Sequence, residues 1–239
     1  MAYCNLDEFR PVDAYVFWVD IMGTKSIMTI APIKGTYYMM RMHIGLLEVK
    51  NKYNNIVVFP MNDGLFVICE RRNELLTFIN EYMYLLFNIA TGRDNKKRIA
   101  YTFNMETSFL VKGVLSYGPI YYQDGLTNCN RNLVFFKEYT DKLISGMPMI
   151  QAYESEKYAP PFGIYIHETV RAFHHQDDTP LAYVFWKWWE KLSEYDYIKP
   201  MVRDYVEEYL NYCKAFPEAY LFPLESIESN LSKARSYFR

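Results

Sequence analysis

The chain reads as an α+β fold on a split βαβ plan, followed by a helical extension. Three observations predict it. Residues 15–20 are a continuous apolar run ending in a charge, two short β-rich runs flank Met61-Asn62-Asp63-Gly64, and stretches of helical periodicity separate these from later strands. With 239 residues, 51% of them hydrophobic, the chain can bury one good core.

The elements follow in order. A charge closing the apolar run 15–20 is the pattern of a buried central strand. From about residue 31 to 52 the spacing suits a helix, with Met39, Met42, Ile44, Leu47 and Val49 supplying its apolar side. Residues 56–59 and 65–69 are strands, and the Asn-Asp-Gly turn between them makes a hairpin. Leu75, Ile79, Tyr82, Leu86 and Ile89 recur at helical spacing, with Asn73 as the expected cap and Gly92 as the stop. Residues 107–123 form a long strand in which Gly113 and Gly118 mark points where backbone can pass close to a neighbour. A helix over 145–158 starts at Ser145 with Pro148 in its first turn. Pro160-Pro161 ends it, and 163–167 is a strand. Beyond that, Pro200, Pro217 and Pro223 divide helical segments such as 201–216 and 224–238.

That order, strand-helix-hairpin-helix-strand-helix-strand, is the plan of a ferredoxin-like palm. It sets the first strand beside the hairpin, so Asp20 and Asp63 face one point in space although roughly forty positions separate them. The expected division is a palm over residues 1–178 and an extension over 179–239, packed on the palm or on a partner.

Composition narrows the function. A net charge of −2 and a pI near 6.1 argue against a dedicated nucleic-acid binder. Four cysteines at scattered positions (Cys4, Cys69, Cys129, Cys213) show no metal or disulfide spacing, which fits a reducing compartment. The N-terminus is too acidic and polar for a signal peptide, and no apolar run approaches the roughly 20 residues that span a bilayer. The expectation is a cytoplasmic protein without membrane contact. The aromatic run 185–189 reads as core or subunit packing rather than a stacking platform. His174-His175 with Asp177-Asp178 reads as a polar linker, and Lys96-Lys97-Arg98 as a solvated loop.

Two segments carry chemistry: Phe17-Trp18-Val19-Asp20-Ile21-Met22-Gly23-Thr24-Lys25 and Phe59-Pro60-Met61-Asn62-Asp63-Gly64. Carboxylates that end neighbouring strands can bind hard cations together, and a glycine-bearing turn beside one of them can take a phosphate on backbone N–H groups. One such aspartate is ordinarily a turn residue. Two together suggest a two-metal site for nucleotide chemistry.

At these residues the chain resembles the class III nucleotide cyclase domain, with its βααββαβ sheet, and within it the pyrimidine cyclases of Pycsar anti-phage defence. Asp20-Ile21-Met22-Gly23 resembles the first metal motif, and Asn62-Asp63-Gly64 sits where the second metal aspartate sits. Residues 111–120 resemble the glycine-punctuated strand that follows. Residues 146–157 with 163–167 resemble the helix-strand pair that closes the site. Together these cover roughly residues 14–172. Purine cyclases place polar base readers where this chain has Phe59 and, near the second reader, Leu143; their closing helix carries an asparagine and an arginine where it has Ile150 and Glu154. Such a site lacks the hydrogen bonds that select adenine or guanine.

The resemblance implies two Mg²⁺ or Mn²⁺ ions held by Asp20, Asp63 and the Ile21 carbonyl, and β- and γ-phosphates held by backbone N–H groups of Met22, Gly23, Thr24 and Lys25. The cation that stabilises the leaving group is to be found among Lys25, Lys112 and Lys157, with Lys157 on the closing helix. Phe59, Leu143 and Ile150 would line the base pocket. The substrate implied is UTP first and CTP second, and the product a 3′,5′-cyclic nucleotide that activates a separate effector. The resemblance also implies a homodimer with sites at the interface. A catalytically silent nucleotide-binding module and a purine cyclase with unusual base readers are the competing readings.

Overall fold

The fold was obtained as a computed structural model, which describes residues 4–93, 104, 107–175, 178–193, 195–220 and 222–239. Strand β1 (Val12–Ile21) is the centre of the sheet because both of its faces are apolar. Tyr15, Phe17, Val19 and Ile21 point to one side, and Ala14, Val16 and Trp18 to the other. Helices α1 (Thr24–Ile30) and α2 (Pro32–Lys50) follow, then the hairpin strands β2 (Val57–Met61) and β3 (Gly64–Cys69), and helix α3 (Arg72–Thr91). Strand β4 (Val111–Tyr122) leads to three short helices, α4 (Asp124–Thr127), α5 (Arg131–Phe135) and α6 (Lys137–Thr140). Then come β5 (Ile144–Gly146), α7 (Met147–Ser155), β6 (Ile164–Ile166), α8 (Glu168–Ala172) and β7 (Phe185–Trp186). Helices α9 (Tyr195–Ala215), α10 (Pro217–Tyr220) and α11 (Leu224–Tyr237) end the chain.

The sheet runs β2-β3-β1-β4-β6-β7, with β5 paired to β4. Strand β1 is antiparallel to both β3 and β4, and β2 is antiparallel to β3. The order β2-β3-β1-β4 is the split βαβ plan the sequence predicts. Strand β6 joins parallel to β4, and β7 closes that edge.

One face of the sheet carries the main core, to which α2, α3 and α9 contribute Met42, Leu46, Phe78, Tyr82, Phe87, Tyr205 and Tyr209. The other carries a smaller cluster of Val16, Trp18, Phe66, Ile68 and Val114, covered by α7 through Ala152 and Met149. The tail belongs to the main core. Trp188 and Trp189 are buried there, Trp188 Nε1 donates to the Phe162 carbonyl at 2.8 Å, and Tyr205 Oη donates to the Phe109 carbonyl at 2.9 Å. The aromatic run 185–189 is therefore packing material, as expected.

Several local expectations shift. Helix α3 begins at Arg72, so Asn73 lies inside it rather than capping it, whereas Gly92 does end it in the left-handed region at φ 65°. Helix α7 begins after Gly146, because Ser145 is drawn into β5 by pairing with Tyr121. Pro200 does not divide the tail; it sits inside α9, near enough to the start that few ladder bonds are lost. Of the five residues expected to form the apolar side of α2, Met42 and Val49 are buried and Met39 is partly so, but Ile44 and Leu47 face outward. Lys96-Lys97-Arg98 and Asp177 lie outside the described residues. Among the described residues all four cysteines are free, and no helix is long and apolar enough to cross a membrane.

Candidate active site

The end of β1 and the β2–β3 turn are tied together by backbone. Asp20 stands opposite Gly64 on one side and Lys112 on the other, and the Ile21 N–H donates to the Asp63 carbonyl at 3.2 Å. Asn62 supports this two-residue turn by adopting φ 51°, a conformation asparagine tolerates. Gly64 is needed for a second reason. A Cβ there would lie 2.2 Å from the Trp18 ring, so the indole crosses the hairpin only because the position is bare. Asp20 and Asp63 thus come together, as the sequence predicts.

They open onto a cavity of about 570 Å³ lined by Trp18, Asp20, Met61, Asn62, Asp63, Phe66, Met149, Ile150, Tyr153, Glu154 and Glu156. One wall is aromatic: Trp18 packs on Phe66 at 4.5 Å between centroids and edge-on to Tyr153 at 5.7 Å. The lining also carries four acids, Asp20, Asp63, Glu154 and Glu156. Burial, followed by the negative charges of Glu156 and Asp63 and a hydrogen bond shared with Glu156, pushes the Asp20 carboxyl up to about 9. Its Oδ1 is buried without a hydrogen-bond partner, as is Trp18 Nε1. Lys112, also buried, is held down to about 8 by desolvation, against the pull of Glu156 and Asp20 and with the push of Lys233.

The donors are all oxygens, the set that suits Mg²⁺ or Mn²⁺, and the orphaned Asp20 Oδ1 is an acceptor seeking a cation or a proton. Among the described residues, no three His, Cys, Asp or Glu side chains close into a group arranged to hold a metal ion. The Ile21 carbonyl already accepts from the Thr24 hydroxyl at 3.0 Å, which leaves its second lone pair.

The other expected site residues divide. Ile150 and Glu154 line the cavity; Phe59 is buried behind it, packed edge-on to Tyr122 at 6.3 Å, and Leu143 lies outside the lining in the loop after α6. Lys157 does not reach the cavity within the chain: it is exposed, with Nζ 5.1 Å from the Tyr158 ring centroid. In the glycine-bearing turn, Gly23 adopts φ 75° ahead of α1, but the Met22 N–H is committed to the Leu110 carbonyl at 2.8 Å. The Phe222 ring lies over Gly23, where a Cβ would come within 2.0 Å of it. Thr24 is buried and Lys25 exposed in the first turn of α1.

Glu156 escapes a sequence reading of the site. It opens the 3-10 turn (Glu156–Tyr158) that continues α7, and from there it hydrogen-bonds and repels Asp20. Trp18 was visible only as strand core. What fold and site define together is an α+β palm bearing paired carboxylates at the mouth of an aromatic cavity.

No protein-family model matches the chain, and no curated protein matches it. Its neighbours among solved structures are nucleotide cyclase domains. The guanylyl cyclase domain of the RhoGC fusion protein from the aquatic fungus Blastocladiella emersonii is 13% identical with a TM-score of 0.47, covering 68% of this chain and 83% of that one. The guanylyl cyclase Cya2 is 12% identical with a TM-score of 0.49 over 68% and 78%. An adenylate cyclase from Trypanosoma brucei in its monomeric state is 10% identical with a TM-score of 0.46 over 69% and 77%. At such values the likeness carries no chemistry, which has to be argued from the site.

Proposed function

We propose that this chain is a nucleotide cyclase that converts UTP, or CTP, to its 3′,5′-cyclic monophosphate and pyrophosphate, in anti-phage defence. The observation that carries the reading is the meeting of Asp20 and Asp63 beside the Trp18–Phe66–Tyr153 wall, with a buried, unpartnered oxygen on Asp20. In the reaction the ribose 3′-oxygen attacks the α-phosphorus, the bond between the α-phosphorus and the bridging oxygen breaks, and the 3′-hydroxyl loses its proton. Asp20, Asp63 and the Ile21 carbonyl would hold two Mg²⁺ or Mn²⁺ ions, which supply charge to acidify that hydroxyl and neutralise pyrophosphate.

The chain's own groups do the rest. Trp18, Phe66 and Tyr153 offer an aromatic wall for a base, and Ile150 beside them offers no hydrogen bond to a purine edge. Phe59 adds no polar reader from behind it, and Leu143 stands outside the lining. Lys112 stands across the strand pair from Asp20 and feels Glu156, and its burial strengthens its pull on a developing negative charge. The turn Gly23–Lys25 would receive the outer phosphates once Phe222 moves aside. Residues 1–178 hold these side chains, and 179–239 brace them through the shared core.

The homodimer expected from the resemblance belongs to this reading, with Lys157 serving a partner's site. Within one chain α7 already faces Asp20 and Asp63, so a partner is not required to assemble the carboxylates. Pyrophosphate release with Mn²⁺ and each of ATP, GTP, CTP and UTP tests the proposal. Turnover confined to UTP or CTP supports it, and turnover of a purine overturns the base assignment. Metal-dependent binding of nucleotide with no turnover of any of the four would mark a silent binding module instead.

A further inference from the structure

Helix α2 is apolar on two opposite sides. Its inner side, Tyr38, Met42, Leu46 and Val49 with Gly35 and Gly45, is buried against α1 and α3. Its outer side carries Ile33, Tyr37, Met40, Ile44 and Leu47, which are 88%, 47%, 52%, 53% and 59% exposed. Those five recur at alternating steps of four and three, the seam spacing of a helix that packs lengthwise on another helix. A helix apolar all round is ordinarily buried, and a contiguous apolar row left in water marks an interaction surface.

We infer that this row is an interface for a second copy of the chain, laid antiparallel so that the row packs against itself. The charges on its edge select both occupant and direction. Lys34 and Glu48 flank the same edge of the seam, opposite in sign and at opposite ends. An antiparallel copy centred near Met42 stacks Tyr37 on Leu47 of the copy and Met40 on Ile44 of the copy. It sets Lys34 against Glu48 of the copy twice, by the two-fold axis. In a parallel copy the two-fold axis would carry this edge to the far side of the seam, so Lys34 and Glu48 would not meet.

Arg41 lies midway on that edge and would meet its own copy. Its guanidinium is instead held by the carbonyls of Ile89 and Thr107 and lies over the Phe109 and Tyr37 rings, which commits it within its own chain. A membrane surface fits less well, because Glu48 breaks the basic collar that anionic lipid attracts. The row lies on the face of the sheet opposite the cavity, so the contact leaves the cavity open and is separate from any dimer that would complete it.

Sedimentation velocity of the full chain over a concentration series tests this. Ile44→Glu is expected to weaken one self-association step by about tenfold or more, since it places a charge in the desolvated seam. Lys34→Glu and Glu48→Lys should each weaken the same step, and the double swap should restore it. Melting curves should stay close to wild type, because every substituted side chain is outside the core. An Ile44→Glu protein that sediments like the wild type would overturn the inference. So would a double swap that fails to restore association, or a wild-type chain that stays monomeric and instead pellets with phosphatidylcholine–phosphatidylserine vesicles.

Discussion

Asp20 on β1 and Lys112 on β4 are directly opposed cross-strand partners, yet the fold drives each toward its neutral form. Burial is the first cause for both. The acid is pushed further by Glu156 and Asp63, and the base by Lys233. Such a site is under electrostatic tension until a ligand with compensating charge arrives, which is the state expected of a place for cations and a triphosphate.

Asp20→Asn should stabilise the metal-free protein near neutral pH. An acid whose folded pKa of about 9 exceeds its ordinary 3.8 destabilises the fold as pH rises between those values. The variant's advantage should be absent near pH 4, grow through neutrality and level off above pH 9, with a size on the order of 1–3 kcal/mol at pH 7. Chemical denaturation in EDTA across that range reads it. An Asp20→Asn protein less stable than wild type at pH 7 would show that the carboxylate is satisfied in the fold.

Lys112→Met should follow the opposite slope. A buried amine held at about 8 costs stability as pH falls below its ordinary 10.5, so the substitution should help most below pH 8 and least above pH 10.5. Under the proposed function it should also lower kcat by about 100-fold, in the range seen when a preorganised charge partner is lost. Lys157→Met should leave a monomer's nucleotide binding unchanged, since Lys157 lies away from the cavity.

Gly23 and Phe222 should be energetically coupled. Gly23→Ala meets two costs: about 1 kcal/mol for a side chain at φ 75°, and a clash with the Phe222 ring. Phe222→Ala removes only the second, so the double variant should be more stable than the two single losses predict, by about 1–2 kcal/mol. The same Phe222→Ala change should raise affinity for nucleotide by uncovering the turn. Additive losses in the double-mutant cycle would show that the ring does not press on Gly23 in solution.

The palm was legible because its signals are local and repeated: an apolar strand ending in Asp20, an Asn-Asp-Gly turn, and helical spacing through Leu75, Ile79, Tyr82 and Leu86. Asp20 and Asp63 were legible for the same reason, each standing at the end of its own strand. Glu156 was not, because only the packing of α7 and its 3-10 continuation against the sheet sets it beside Asp20. Nor was the displacement of Leu143, since sequence spacing does not show which way a loop turns. The two faces of α2 merge in a count of apolar residues, and Ile44 and Leu47 separate from Met42 and Val49 only once α3 is in place. Phe222 over Gly23 joins residues about 200 positions apart, beyond the reach of any local pattern.

Mass spectrometry of the product formed from UTP and Mn²⁺ by wild-type protein and by Asp63→Ala tests the proposed cyclase reaction itself. The wild type is expected to yield 3′,5′-cyclic UMP and pyrophosphate, and the variant neither. Release of open-chain UDP or UMP, or a cyclic product undiminished in Asp63→Ala, would contradict it.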